Sequence, residues 1–303
     1  MTNQEKTSSR PVRILDGGTG RELLRIGAPF RQPEWSALAL LDGPEWVVQA
    51  HRNFIDAGAT IITTNSYACV PFHLGQDRFD ARGPELAALS GELAREAVGD
   101  AAPGKVAVAG SIPPVSGSYR PDLFKVSAAE RVVSMLVEAL SSTVDHWLIE
   151  TTSSVLEAET ALRATAATGK TSWVSFTLED HLNASGQAVL RSGESIHAAI
   201  DKLGDRIDGL LFNCSQPEVM GAAVSEAAAS CGATVSIGVY ANAFPLIQDD
   251  ATANEVLLDI RADLGPDSYV RFAQEWVAQG ATIIGGCCGI TPAHIKALAA
   301  ANL

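Results

Sequence analysis

The sequence predicts an α/β protein, a single-domain (β/α)8 TIM barrel, and three observations point there. Eight short β-rich runs recur along the 303 residues. Most of them are nearly continuous apolar stretches, as expected of strands covered on both faces. Residues 58–62 and 280–284 both read Gly-Ala-Thr-Ile-Ile, each after an amphipathic segment and each running into a strand. A local solution used twice suggests repeated βα units. Strands that are each followed by a helix or a long loop, over this length, fit a barrel. A doubly wound open sheet is the alternative.

The runs fall at 12–16, 60–64, 106–110, 147–150, 173–177, 209–213, 235–240 and 282–285. Between them, 45–57 reads as a helix. Pro44 opens it, Trp46, Ala50, Phe54 and Ala57 share a face, and Gly58 ends it. The spacing also predicts helices over 129–140 and 155–167. No linker rich in proline, glycine and serine divides the chain, so 11–303 reads as one barrel preceded by a loose polar tail, 1–10. In a barrel, chemistry belongs at the C-terminal ends of the strands. Asp16, Thr64, Asn65, Ser111, Glu150, Thr177, Asn213, Cys214, Asn242, Cys287 and Cys288 fall there.

Hydrophobic residues make up 47% of the chain, enough for a large core, and the net charge is −13. Such acidity argues against a nucleic-acid partner and is compatible with a cationic substrate. No apolar run approaches the roughly 18 residues of a membrane span. The expected location is the cytoplasm. Five cysteines, an odd number without an export signal, argue against a disulfide scaffold.

Cys287 and Cys288 stand between Gly286 and Gly289, and Cys214 ends a different strand in Phe212-Asn213-Cys214-Ser215. Two thiolates on adjacent residues can share a soft metal where the backbone bends sharply, and the flanking glycines permit a bend. A barrel would bring Cys214 opposite the pair. Three sulfurs around zinc leave one tetrahedral position open, the mark of a catalytic site. The competing reading is three ordinary buried cysteines. Cys69 and Cys231 have no motif partner and read as core or loop cysteines. Gly17-Gly18-Thr19-Gly20 lacks the Lys-Ser/Thr of a phosphate loop. The six histidines form no metal-binding pair, and His294, just after Pro292, reads as a surface residue.

Together the motifs resemble the homocysteine S-methyltransferase family. The segments are Asp16-Gly17-Gly18-Thr19-Gly20-Arg21-Glu22-Leu23, Thr63-Thr64-Asn65-Ser66-Tyr67, Glu150-Thr151, Asn213-Cys214-Ser215, and Gly285-Gly286-Cys287-Cys288-Gly289 with Thr291-Pro292-Ala293-His294-Ile295. They span nearly the whole chain, and the last is the most specific. The resemblance implies a (β/α)8 barrel with Zn2+ held by Cys214, Cys287 and Cys288. It implies that Asp16 and Glu150 hold the ammonium of homocysteine, and that backbone amides near Gly17 and Asn65 take its carboxylate.

The reaction so implied moves a methyl group from a small donor to the thiol of homocysteine, giving methionine. A sulfonium, S-methylmethionine first, is the expected donor, with a betaine-type donor as the alternative. The sequence departs from the better-known S-methylmethionine users after the third strand, where the 111–121 loop carries Pro113-Pro114 and Tyr119. That loop is expected to shape donor choice. A zinc- or thiol-binding barrel without turnover is a second hypothesis. A metal-dependent hydrolase would need a cluster of histidines and carboxylates that the sequence does not offer.

Overall fold

The structure, a computed structural model, describes residues 11–99, 104–245, 260–301 and 303. The 1–10 segment, expected to be a loose tail, lies outside the described residues. In chain order the elements are β1 (Arg13–Ile14), α1 (Thr19–Ile26), α2 (Ala37–Asp42), α3 (Pro44–Asp56), β2 (Ile61–Thr63), α4 (Pro71–Leu74), α5 (Gln76–Val98), β3 (Ala107–Ile112), α6 (Val126–Leu140), β4 (His146–Thr152), α7 (Val155–Ala166), β5 (Ser172–Phe176), α8 (Ile196–Leu203), β6 (Gly209–Asn213), α9 (Pro217–Ser230), β7 (Ser236–Tyr240), α10 (Pro266–Ala278), β8 (Ile283–Ile284) and α11 (Pro292–Ala300). The strands form one parallel sheet in the order β1-β8-β7-β6-β5-β4-β3-β2. A parallel bridge from Leu15 to Ile61 joins its two ends and closes the barrel. No helix among the described residues is long and apolar enough to cross a membrane.

The two-residue period of the strands builds the interior in layers. One side chain from each strand or its exit meets at the axis: Leu15, Ile61, Ala109, Leu148, Trp173, Leu211, Tyr240 and Ile283. Their neighbours Ile62, Val108, Ile149, Val174, Leu210, Phe212, Val239 and Ile284 point outward and pack with the helices. Both faces are dry, which explains the unbroken apolar runs. Two residues further along five strands, on the same inward side, stand Thr63, Ser111, Glu150, Ser175 and Asn213. A polar layer thus caps the apolar plug at the C-terminal mouth, where a barrel carries its chemistry.

The repeated pentapeptide is a repeated structure. Gly58 and Gly280 both adopt left-handed φ, 108° and 119°. Each ends a helix, and the next residue donates back into it: Ala59 N–H to Phe54, Ala281 N–H to Trp276. Ile61 and Ile283 then face the axis while Ile62 and Ile284 face the helices.

β1 and β8 are shorter than the predicted 12–16 and 282–285. Beyond Ile14 and Ile284 the backbone leaves the regular ladder, and Gly286 N–H bonds to the carbonyl of Asp16. The 23-residue α5 continues through Gly83-Pro84. An arm between β5 and α8 has no predicted counterpart. Leu178 pairs with Leu190, and Val189 with Ser195.

His51 is fully buried on α3, and neither ring nitrogen has a hydrogen-bond partner. Burial holds its pKa down to about 4, from an ordinary 6.5. His146, also buried, is held at about 4. As pH falls below 6.5 the unfolded chain takes up protons first, so their stabilising effect is complete above that value and is lost toward pH 4. His51→Leu, close in volume, should flatten this acid limb without abolishing it. Urea unfolding of both proteins at about pH 7.5 and 5 measures it. An equal loss of stability in the two proteins would assign the acid sensitivity to other groups.

Candidate active site

Three cysteines converge at the mouth. β6 delivers Cys214, whose backbone turns left-handed (φ 48°) directly after Asn213. The Asn213 side chain holds that turn: its Oδ1 accepts from Ser175 Oγ at 2.7 Å and from Thr151 N at 3.1 Å, and its Nδ2 donates to Thr151 Oγ1 at 2.8 Å. β8 delivers Cys287 and Cys288. Cys287 N–H donates to Ala241, and Ala243 N–H donates to the Cys288 carbonyl at 2.8 Å, so the pair is pinned to the exit of β7. The glycines before the pair act through space rather than through the expected bend. A Cβ on Gly286 would lie 2.1 Å from Ile290 Cγ2, and only Gly289 takes a left-handed φ, 84°.

The three sulfurs lie within 4.8 Å of one another. In this form Cys214 and Cys287 are joined as a disulfide and Cys288 is a free thiol. The bond links two residues of the site, 73 positions apart in the chain. In the reduced form the donor set is three soft sulfurs on two adjoining segments, which fits a thiophilic metal ion. Among the described residues no other group of three His, Cys, Asp or Glu side chains could hold a metal. Burial pushes the Cys288 thiol up to about 11, with the Arg21 guanidinium pulling the other way. Cys69 is a buried core residue, its thiol pushed up to about 12 by burial, and Cys231 is half-buried.

Two carboxylates lie beside the sulfurs. Asp16, 1% exposed, leaves β1 and accepts from Thr63 N at 2.7 Å and from Thr63 Oγ1 at 3.0 Å. Glu150, 8% exposed, accepts from Ser111 Oγ and from Tyr240 OH at 3.3 Å. Burial pushes Asp16 up to about 8, and the nearby Glu150 charge pushes it further in the same direction. Burial pushes Glu150 up to about 7 against the two hydroxyls that hold it down. Among the described residues no cation offsets this pair. The Gly17-Gly18 turn passes directly over the cysteine loop, where a Cβ on Gly18 would meet the Cys287 carbonyl at 2.7 Å. Asn65 is buried and donates through Nδ2 to the Ser36 carbonyl at 3.0 Å.

In the sequence Tyr67 stands out only as part of a motif and Tyr119 only as part of the 111–121 loop, and Tyr240 is not singled out. The chain has four tyrosines, and Tyr67, Tyr119 and Tyr240 gather near Glu150 and Cys288. Their positions at or just after the ends of β2, β3 and β7 were the available signal. Tyr67 and Ser118 share a hydrogen bond of 2.6 Å. Arg21 sits over the Phe244 ring at 5.2 Å. His294, expected at the surface, is buried. Its Nδ1 caps α11 through Thr291 and its Nε2 meets the Leu264 carbonyl at 3.0 Å, so the helix start turns the ring inward.

The family described as homocysteine S-methyltransferase matches residues 13–302. The homocysteine S-methyltransferase of Escherichia coli is 31% identical over 305 residues, 95% of this chain and 94% of that protein. Homocysteine S-methyltransferase 1 of Brassica oleracea var. italica is 28% identical, covering 94% and 91%. Among solved structures, the homocysteine methyltransferase MmuM of E. coli superposes in its metallated form with a TM-score of 0.77, at 28% identity over 96% of each chain. Its oxidized form superposes with the same TM-score, at 27% identity over 95% of each chain. With an eight-stranded barrel, a three-sulfur cluster at its mouth and a family match over nearly its whole length, the chain belongs to the homocysteine S-methyltransferase family.

Proposed function

We propose that this chain is a zinc-dependent methyltransferase that moves a methyl group from a sulfonium donor, S-methylmethionine first, to the thiol of L-homocysteine, giving methionine. One observation carries the reading: three convergent sulfurs stand beside two buried carboxylates that pair with no cation among the described residues. Cys214, Cys287 and Cys288 would hold the zinc once reduced. Zinc, when bound, supplies the positive charge that keeps a coordinated thiol ionised at neutral pH. Asp16 and Glu150 would take the substrate ammonium, Ser111 and Tyr240 fixing the direction of Glu150 and Thr63 that of Asp16. Backbone amides near Gly17 and Asn65 would take the carboxylate. The dry barrel plug below excludes water and makes each of these contacts stronger than in solvent. The need for three reduced thiols favours the cytoplasm.

Reduced protein should carry about one zinc per chain, and Cys288→Ala should lose both metal and turnover. Elemental analysis checks this, and full zinc retention in the variant would overturn the ligand set. Assays with S-methylmethionine, dimethylsulfoniopropionate, S-adenosylmethionine and betaine should show methionine formed from a sulfonium. Activity with betaine alone would sink the sulfonium half of the reading, and no turnover with any of them would leave a binding barrel.

Glu150→Gln should weaken homocysteine binding by roughly 1.5–3 kcal/mol, the usual cost of losing a charged hydrogen bond, with zinc retained. A neutral carboxyl no longer attracts ammonium. The wild type should therefore lose affinity as pH falls through about 7, and the variant should show a shallower dependence. Calorimetric titration at pH 6 and 8 reads both effects, and identical pH profiles would give Glu150 another role.

A further inference from the structure

The loop after β3 is bolted across the mouth from two sides. On the β2 side Ser118 is hydrogen-bonded to Tyr67 at 2.6 Å, and Gly117 lies so close to the Phe72 ring that a Cβ there would stand 2.9 Å from it. On the β5 side the Arg191 guanidinium lies over the Tyr119 ring, 5.3 Å from its centre. Arg191 is itself fixed. Its Nη2 donates to Asp180 Oδ1 at 2.6 Å, its Nη1 stands 3.6 Å from Glu179 Oε2, and its side chain is only 11% exposed. Between these anchors Tyr119 holds a left-handed backbone, φ 65°, which a residue with a Cβ keeps only where its surroundings impose it. Its phenol lies within electrostatic reach of Cys288 and Tyr67.

We propose that Tyr119 contacts the methyl donor and sets its specificity, and that Arg191, held by Asp180, is the positioning residue that presents the Tyr119 ring. This rests on the methyl-transfer reading above. An onium donor must bring its charged centre to the thiol beside Cys288, and an aromatic ring there attracts such a cation. The Arg191 charge is itself offset by its ion pairs with Asp180 and Glu179, which leaves the other face of the ring open to a cation. Arg191 takes the cation–π contact that stops the ring from turning away. The 178–195 arm thereby gains a role: it carries the strut and the acids that anchor it.

The test is steady-state kinetics of the reduced, zinc-loaded protein with S-methylmethionine and homocysteine, each varied in turn. Tyr119→Leu should raise the donor KM about tenfold, the size of one lost cation–π contact. The homocysteine KM should stay within about twofold, since its own contacts are intact. Tyr119→Phe, which keeps the ring, should retain most donor affinity. Arg191→Met should raise the donor KM and Arg191→Lys should restore it in part. Zinc content and a thermal melt on each variant separate this from misfolding. A donor KM unchanged in Tyr119→Leu overturns the inference alone. So does a joint rise of both KM values with loss of zinc, which marks a structural role. A wild type silent toward every donor overturns the methyl-transfer reading and this inference with it.

Discussion

At the seam between β1 and β8 two Gly-Gly turns pass each other with no room for a side chain. A methyl on Gly18 would collide with the Cys287 carbonyl, and one on Gly286 with Ile290. This close approach brings Asp16 up against the cysteine loop, although 271 residues of chain separate Asp16 from Cys287. The Gly286 N–H to Asp16 carbonyl bond locks the two turns together. Everything at the mouth is placed relative to that contact. Cys214 reaches across from β6, and Glu150 comes up from β4 to face Asp16. A larger residue at either turn would force the seam apart and separate the acids from the sulfurs.

The electrostatics follow from the same crowding. Asp16 at the exit of β1 and Glu150 on β4 are both buried at the barrel mouth, so they are stripped of water. Their raised pKa values record that cost. Each is partly repaid by neighbours in the polar layer: Thr63 for Asp16, Ser111 and Tyr240 for Glu150. None of those partners is cationic. Two buried acids thus stand at the mouth with no cationic partner among the described residues.

Much of this can be read from the chain, because the signals are local. The apolar runs mark the strands, and the pentapeptide at 58–62 and 280–284 marks two equivalent corners. The placement of Asp16, Glu150, Cys214, Cys287 and Cys288 at strand ends follows from the barrel alone. What escapes the sequence depends on distant parts of the chain. Whether Gly286 serves a bend or a close approach depends on Ile290 and on the turn after β1. His294 looks exposed until its ring is seen capping α11 and reaching Leu264. The 178–195 arm has only two antiparallel bridges and no sustained alternation. The tyrosine cluster joins residues on three strand exits, and no spacing in the sequence connects them.

The order of the strands carries one more consequence. β1 and β8 are neighbours in the sheet although they come first and last among the strands. During synthesis the growing chain holds Cys214 for 73 residues before Cys287 exists. Through that interval the barrel stands open along one side, with β1 and β7 awaiting the strand between them. Assembly of the three-sulfur group therefore belongs at the close of biosynthesis. The three-sulfur cluster exists only in chains that have shut the ring, so any ligand that needs all three sulfurs would report that the final strand has docked.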